Sequence, residues 1–474
     1  VLMKIKILAS MLAGALAMLP VTANAGWGGG GVGAYGEPIT IYGWQYHSYE
    51  FTEATDWQGE RDYAELRSNA ANIGFLGFVD TGIDGLKMTW RCEQFTYLGD
   101  FAGGTGWCNR NSKVGISGSF GEIMFATWLL PYNEMVAAWV DPFYDAGNAS
   151  HTGIMGNLGT TSGMFYNTGM FNDGDSFGDF DYSTADFSGY SMNGMFYGGI
   201  GTYGMGLNRR QEGIIQYMGG TGPLTYRFAF TQGEREETAV TGGSGTSYEV
   251  DPLIISTGIA YTSGPLWLAA TYQKHEDWQA AGLKQISATN GNVNSNPNVA
   301  SGSDTESWRI AGRYIADMGN GASLTLSAMF ETVEYEADDV IATYFNDLGF
   351  NTTVMGSVTA GDSVSIERDA WLISGKYSTG GPLNFRFMYA EADDYEGSWT
   401  VVGGGNDKLK NDSGADMLVL GLYYSLGDST EFGLTYNEVS NDTNGAYGTG
   451  IGGKGLGATG TDTEIMAINV ITMF

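Results

Sequence analysis

The feature that most constrains this chain is a strict period of two. In Leu383-Asn384-Phe385-Arg386-Phe387-Met388-Tyr389 the large apolar residues Leu, Phe, Phe and Tyr share one parity and Asn, Arg and Met the other. The pattern recurs at Leu224 to Phe230, at Trp308 to Tyr314 and at Phe432 to Asn437. Such alternation predicts strands with one apolar face. In a soluble sandwich the second face would be rich in Lys, Glu and Thr. Here it carries Arg, Asn, Ser, Thr and Gly, which suits a water-filled lumen with the apolar parity turned to lipid. Tyr and Phe often close that parity at strand ends, as an aromatic girdle would.

The connections give the strand count. Seven short turns lie at 82–85, 120–121, 219–223, 263–265, 317–321, 379–382 and 427–430. Between them lie eight long stretches rich in Gly, Asp, Asn, Ser and Thr: 52–65, 95–107, 131–203, 233–249, 276–305, 337–362, 397–414 and 441–462. Fifteen connections predict an all-β fold, a transmembrane antiparallel β-barrel of sixteen strands with a short end and a long end. Closure removes the sheet edges that lipid would leave unsatisfied.

Composition narrows the alternatives. Among 474 residues, 74 Gly argue against a helical protein. A hydrophobic share of 43% excludes a disordered acidic chain. A net charge of −31 argues against nucleic acid as a partner. Lys4 and Lys6, an apolar run from Ile7 to Leu19, then Pro20 and Ala23-Asn24-Ala25 have the three-part plan of a secretory signal peptide. Residues 1–25 are therefore expected to be cleaved, which takes the charge from −31 to −33. Residues 26–38 form a Gly-rich N-terminal segment, expected to be unpaired, and 39–474 a single barrel domain. No later window has the run of about 18 apolar residues that a transmembrane helix needs.

Several blocks, in order, carry a resemblance. "ITIYGW" (39–44), "NIGFLGFVDTGIDGLKMTW" (72–90), "NRNSKVGISGSFGEIMFATW" (109–128) and "VDPF" (140–143) resemble the first strands and third-loop start of the Gram-negative general diffusion porins. The chain also ends on an aromatic, Phe474, as they do. The resemblance implies a homotrimeric channel in the outer membrane of a Gram-negative bacterium, passing small hydrophilic solutes and ions by passive diffusion. It implies a third loop folded into the lumen, with acids facing basic residues on the wall. It implies contact with outer-membrane lipid and lipopolysaccharide, and reading of Phe474 as an assembly signal by the barrel-assembly machinery. Three lining positions that are usually basic in that family are Asn72, Leu76 and Thr127 here, and the penultimate residue is Thr472.

Parity assigns Lys87 and Arg91, with Thr89 and Glu93, to the lumen side of the third strand. Arg227, Arg309, Arg313, Lys376 and Arg386 take the same inward parity elsewhere. These bases either steer anions or balance nearby acids. Glu134, Asp141 and Asp145 open the third loop and are the expected acidic constriction. With three wall bases missing, a cation-preferring pore is expected. Farther along the loop, Asp173, Asp175, Asp179 and Asp181 are weak Ca²⁺ candidates without EF-hand spacing; no other metal or cofactor is expected. Met155, Met164, Met170, Met192 and Met195 fit packing among aromatics better than a Cu(I) site.

Cys92 and Cys108 flank the second long loop on the outward parity of their strands. An exported protein meets oxidising conditions, so they are expected to form a disulfide. His47, His151 and His275 stand in no catalytic motif, and no enzyme is expected. A solute-specific channel and a plugged barrel serving as a surface adhesin or structural protein are the alternatives to an open pore.

Overall fold

The computed structural model describes residues 30–32, 38–56, 59–96, 98, 107–156, 207–208, 210–232, 235–241, 244–250, 253–276, 303–337, 364–397, 411–443, 445, 447–449 and 460–474. Sixteen antiparallel wall strands follow one another around a closed barrel: β1 (Pro38–Asp56), β2 (Gly59–Ser68 with Asn72–Asp80), β3 (Lys87–Phe95), β4 (Ser112–Gly118), β5 (Gly121–Leu129), β6 (Arg210–Thr221), β7 (Leu224–Gln232), β8 (Leu253–Ser263), β9 (Leu266–Glu276), β10 (Ser303–Gly319), β11 (Ala322–Ala337), β12 (Val364–Thr379), β13 (Leu383–Ala392), β14 (Ala415–Leu426), β15 (Thr430–Asn441) and β16 (Thr463–Met473). Both segments of β2 pair with β1, around a break at residues 69–71. β16 pairs with β1 and closes the ring.

The parity reads as expected. On β13, Leu383, Phe385 and Phe387 are exposed on the outside while Asn384, Arg386 and Met388 are buried inside. The closing seam includes one close approach. Gly43 and Phe474 exchange backbone hydrogen bonds of 2.8 and 3.0 Å. A Cβ on Gly43 would stand 2.2 Å from the Phe474 ring, so the terminal aromatic seats only against glycine.

Three expectations about the connections need correction. Much of residues 52–65 is ladder, with β1 and β2 paired as far as Asp56 and Gly59. The stretch 233–249 holds a hairpin, Arg235–Thr241 paired with Ser244–Val250. Both segments are polar on both parities and so read as loop, yet strands that rise above the lipid need no apolar face. The N-terminal segment is not wholly unpaired either, since Gly30–Val32 pairs antiparallel with residues 38–40. The expected leader lies outside the described residues.

Cys92 and Cys108 form a disulfide with Cα atoms 4.8 Å apart. Cys108 sits in a turn ahead of β4, at φ 57°, rather than on the strand itself.

The lumen is not polar throughout. The third loop enters it and packs Val136, Val140, Phe143, Ala146, Ala149, Ile154 and Met155 against the wall residues Ala260, Ala269, Ala311, Met329, Leu372, Met388 and Val419. The inward parity of the later strands is therefore small or apolar where the loop sits. Met155 belongs to this core, in keeping with the packing role expected for it.

Candidate functional site: the passage beside the third loop

After β5 the chain turns inward at α1 (Pro131–Glu134), with Pro at its first position, and continues through α2 (Ala137–Val140). Such short helices leave most of their carbonyls without partners. The wall supplies donors. Thr271 Oγ1 donates to the Tyr132 carbonyl (3.2 Å), Ser327 Oγ to that of Trp139 (3.3 Å), and Ser374 Oγ to that of Val140. Arg386 reaches the Pro142 carbonyl (3.1 Å) and Arg368 that of Ile154 (3.2 Å). Strands β9 to β13 thus hold the loop by its backbone.

One flank of the loop is sealed by charge. Glu331 accepts from Arg309 Nε (2.5 Å), Arg368 Nη2 (2.8 Å), the Tyr132 hydroxyl (2.8 Å) and the Gly156 amide (2.6 Å). All three charged side chains are fully buried. Arg309 also donates to Asn133 Oδ1 (3.0 Å) and Asn208 Oδ1 (2.9 Å), so both ends of the loop meet there. Burying charge is costly unless its partners are well placed, and here each carboxylate oxygen has two donors.

The loop acids are bonded nearby. Glu134 pairs with Arg227 and accepts from Trp128 Nε1 at 2.8 Å. Asp141 accepts from the Phe143 amide (2.7 Å), the His151 amide (2.9 Å) and His151 Nδ1 (3.0 Å). Asp145 stands 3.4 Å from His151 Nδ1 and accepts from Asn133 Nδ2 (3.1 Å). Burial pushes its carboxyl above the usual carboxylate range, against the pull of His151. Asp141, Asp145 and His151 bring three possible ligand atoms within 4.8 Å of one another. Asp141 thus staples two amides of the loop, and Asp145 ties the Asn133 and Ser150 side chains of the same loop.

The other flank is open. A cavity of about 650 Å³ lies between Ala138–Tyr144 and the wall, lined by Arg91, Arg110, Arg313, Lys376 and Arg386, and by Tyr42, Trp44 and Trp139. Glu93 takes Arg91, Arg110 (2.7 Å) and the Tyr42 hydroxyl (2.7 Å). Glu431 takes Arg386 (2.6 Å) and the Tyr144 hydroxyl. Arg313 and Lys376 have no carboxylate partner among the described residues. Guanidinium groups stack on rings: Arg91 lies 4.9 Å from Tyr42, Arg313 4.1 Å from Trp139, and Arg386 3.8 Å from Tyr423.

A model of the Gram-negative porin family matches residues 12–444. The chain belongs to that family. It is 29% identical over 226 residues to the major outer membrane protein P.IB of Neisseria gonorrhoeae, covering 44% of this chain and 56% of that protein. A second P.IB match is 34% identical over 120 residues, covering 24% of this chain and 30% of the relative. The chain thus spans between 30% and 56% of the length of these two curated relatives. Among solved structures, the anion-selective porin from Comamonas acidovorans superposes with a TM-score of 0.58 at 17% identity, over 92% of this chain and all of that one. OmpT of Vibrio cholerae in its trimer form superposes at 0.53 with 11% identity, over 92% and 99%. These likenesses show the same barrel. The porin's place is the outer membrane, and its family is one of channels rather than enzymes.

In this porin, Arg91, Arg313, Lys376 and Arg386 come together around the cavity with Asp141 at its edge. Arg227 is turned to Glu134, and Arg309 lies behind the loop. Lys87 stands apart near the short-turn end, with Nζ 4.2 Å from the Phe78 ring. Asp173, Asp175, Asp179 and Asp181 lie outside the described residues. Parity reasoning passed over Arg110, Arg368, Glu331 and Glu431. Arg368 was within reach, because it shares the inward parity of Ala370 and Leu372. Arg110 precedes β4 in a bend, where alternation gives no sign.

Proposed function

We propose that this porin is a passive, water-filled channel for small hydrophilic solutes and ions, and that its narrow passage prefers anions. The sign departs from the cation preference expected from Asn72, Leu76 and Thr127. The carrying observation is that Arg313 and Lys376 line the passage without carboxylate partners among the described residues, while Glu134, Asp141 and Asp145 are engaged by Arg227 and His151. Arg91 and Arg110 both bond Glu93, two bases against one carboxylate, while Arg386 and Glu431 balance, so the excess at Glu93 leaves further positive charge there. A low-dielectric wall focuses that field on a passing ion.

Single-channel recording of refolded protein in a planar bilayer under a KCl gradient tests this. A reversal potential of anion-selective sign is expected. A cation-selective sign overturns the assignment of charge, and absence of conductance from folded protein overturns the open channel.

We also infer a homotrimer. What supports it is a polar strip on an otherwise apolar outer wall: His47 bonds Ser68 Oγ (3.1 Å) and Gln45 Oε1 (3.1 Å), and Gln45 Nε2 donates to Thr96 Oγ1 (2.9 Å). Hydrocarbon offers such groups no partners, and a neighbouring protomer does. Cross-linking of the detergent-solubilised protein should trap three chains. Lipopolysaccharide and the barrel-assembly machinery, the latter through Phe474, complete the proposed partners.

A further inference from the structure

The passage holds an aromatic surface as well as charge. Trp139 sits on α2 and stacks on Trp267 with centroids 5.3 Å apart and planes 11° apart. Arg313 lies 4.1 Å from the same indole. Trp267 and Arg313 are cross-strand partners on β9 and β10, so they lie side by side on the wall. The indole packs on the wall through both. Trp139 is nonetheless 38% exposed and lines the cavity, whereas Trp267 is buried, so part of the indole looks into the passage.

The nearest bases follow from the register. Arg313 is opposite Ser327, and Ser327 is opposite Ser374, the two hydroxyls that hold the carbonyls of Trp139 and Val140. Lys376 is one inward step farther along β12, roughly 6.6 Å at strand rise. The exposed part of the indole therefore has close by two bases without carboxylate partners among the described residues. The cavity, about 650 Å³, falls within the size range of small-molecule sites.

We propose that the passage selects planar aromatic carboxylates, with the ring on Trp139 and the carboxylate on Arg313 or Lys376. This rests on the anion-preferring reading above and adds a solute class to it. A ring on an indole gains stacking contact that a saturated ring of like size cannot make. A guanidinium beside the indole supplies the charge-assisted bonds for the carboxylate.

The test uses the full protein in planar bilayers, with chloride current titrated by benzoate and by cyclohexanecarboxylate. The two carry the same charge and similar bulk and differ in aromaticity. Benzoate should half-block at a concentration lower by about threefold or more. Trp139→Leu, which keeps apolar bulk at the loop seat, should bring the ratio to about one, and Trp139→Phe should keep part of it, as expected for stacking. Arg313→Gln should weaken block by both carboxylates and leave the ratio. Equal block by the two in an anion-selective wild-type pore overturns the aromatic platform and leaves the anion passage standing. An unchanged ratio in Trp139→Leu overturns the assignment to Trp139. A cation-selective wild-type pore overturns the reading beneath the proposal, and the proposal with it.

Discussion

The two flanks of the third loop use the same residue types to opposite ends. On the sealed flank, Arg309 and Arg368 share the buried Glu331, and Arg227 meets Glu134. On the open flank, Arg313 and Lys376 face a cavity with no carboxylate bonded to them among the described residues. An inward arginine is therefore neither a pore residue nor a structural one by type. What decides is whether a carboxylate, on the wall or on the loop, stands within reach of it. Arg309 is directly opposite Glu331, whereas Arg313, four residues on, is opposite Ser327.

Breaking the sealed flank should give the largest effect. Glu331→Gln leaves two buried guanidinium groups without their counter-charge, at a cost of about 3–5 kcal/mol. The barrel ladder does not depend on Glu331, so the loop should loosen while the wall persists. Protease sensitivity of residues 131–156 and noisier, larger conductance steps would show this; an unchanged channel would mean that the backbone bonds from Ser327 and Ser374 suffice.

The disulfide sharpens the comparison by separating stability from selectivity. Replacing Cys92 and Cys108 by Ser opens a link between residues 16 apart, which costs about 3 kcal/mol in the chain-entropy model. Thermal unfolding in detergent should fall, with the reversal potential unmoved, since neither cysteine lines the passage.

The open flank should respond the other way. Arg313→Gln and Lys376→Gln break no ion pair recorded among the described residues, so stability should change by less than about 0.5 kcal/mol. The reversal potential should nevertheless move toward the cation sign, most in the double variant. A fall in stability without a shift in selectivity would erase the distinction between the flanks.

The smallest effect concerns pH. Burial raises the Asp145 carboxyl, so the folded loop favours its neutral form. The stability this group lends is then greatest below the ordinary carboxylate value of about 3.9 and is lost as pH rises through the higher folded value. Amide exchange within residues 133–151 should quicken over that window, and Asp145→Asn should flatten the change.

Much of the barrel was legible because alternation is a local property. Leu383, Phe385 and Phe387 declare the outer face of β13 with no knowledge of its neighbours, and the Gly-rich turns declare where strands reverse. The upper parts of β1 and β2 were hidden for the converse reason: outside lipid, neither parity need be apolar. Within the site, parity assigned Arg91, Arg313, Lys376 and Arg386 to the lumen, and these four line the cavity beside the loop. It could not tell them from Arg227 and Arg309, which share that parity and end behind the loop.

By itself the sequence determined sixteen strands, a closed sheet, the lipid-facing parity and the cysteine pair, because each follows from spacing along the chain and the solvent on either side. Only the tertiary structure decided which charges remain for a passing ion. That choice depends on cross-strand register and on where residues 131–156 lie against the wall. Both bring together groups up to about three hundred residues apart, such as Tyr144 and Glu431, and no local pattern encodes such a meeting.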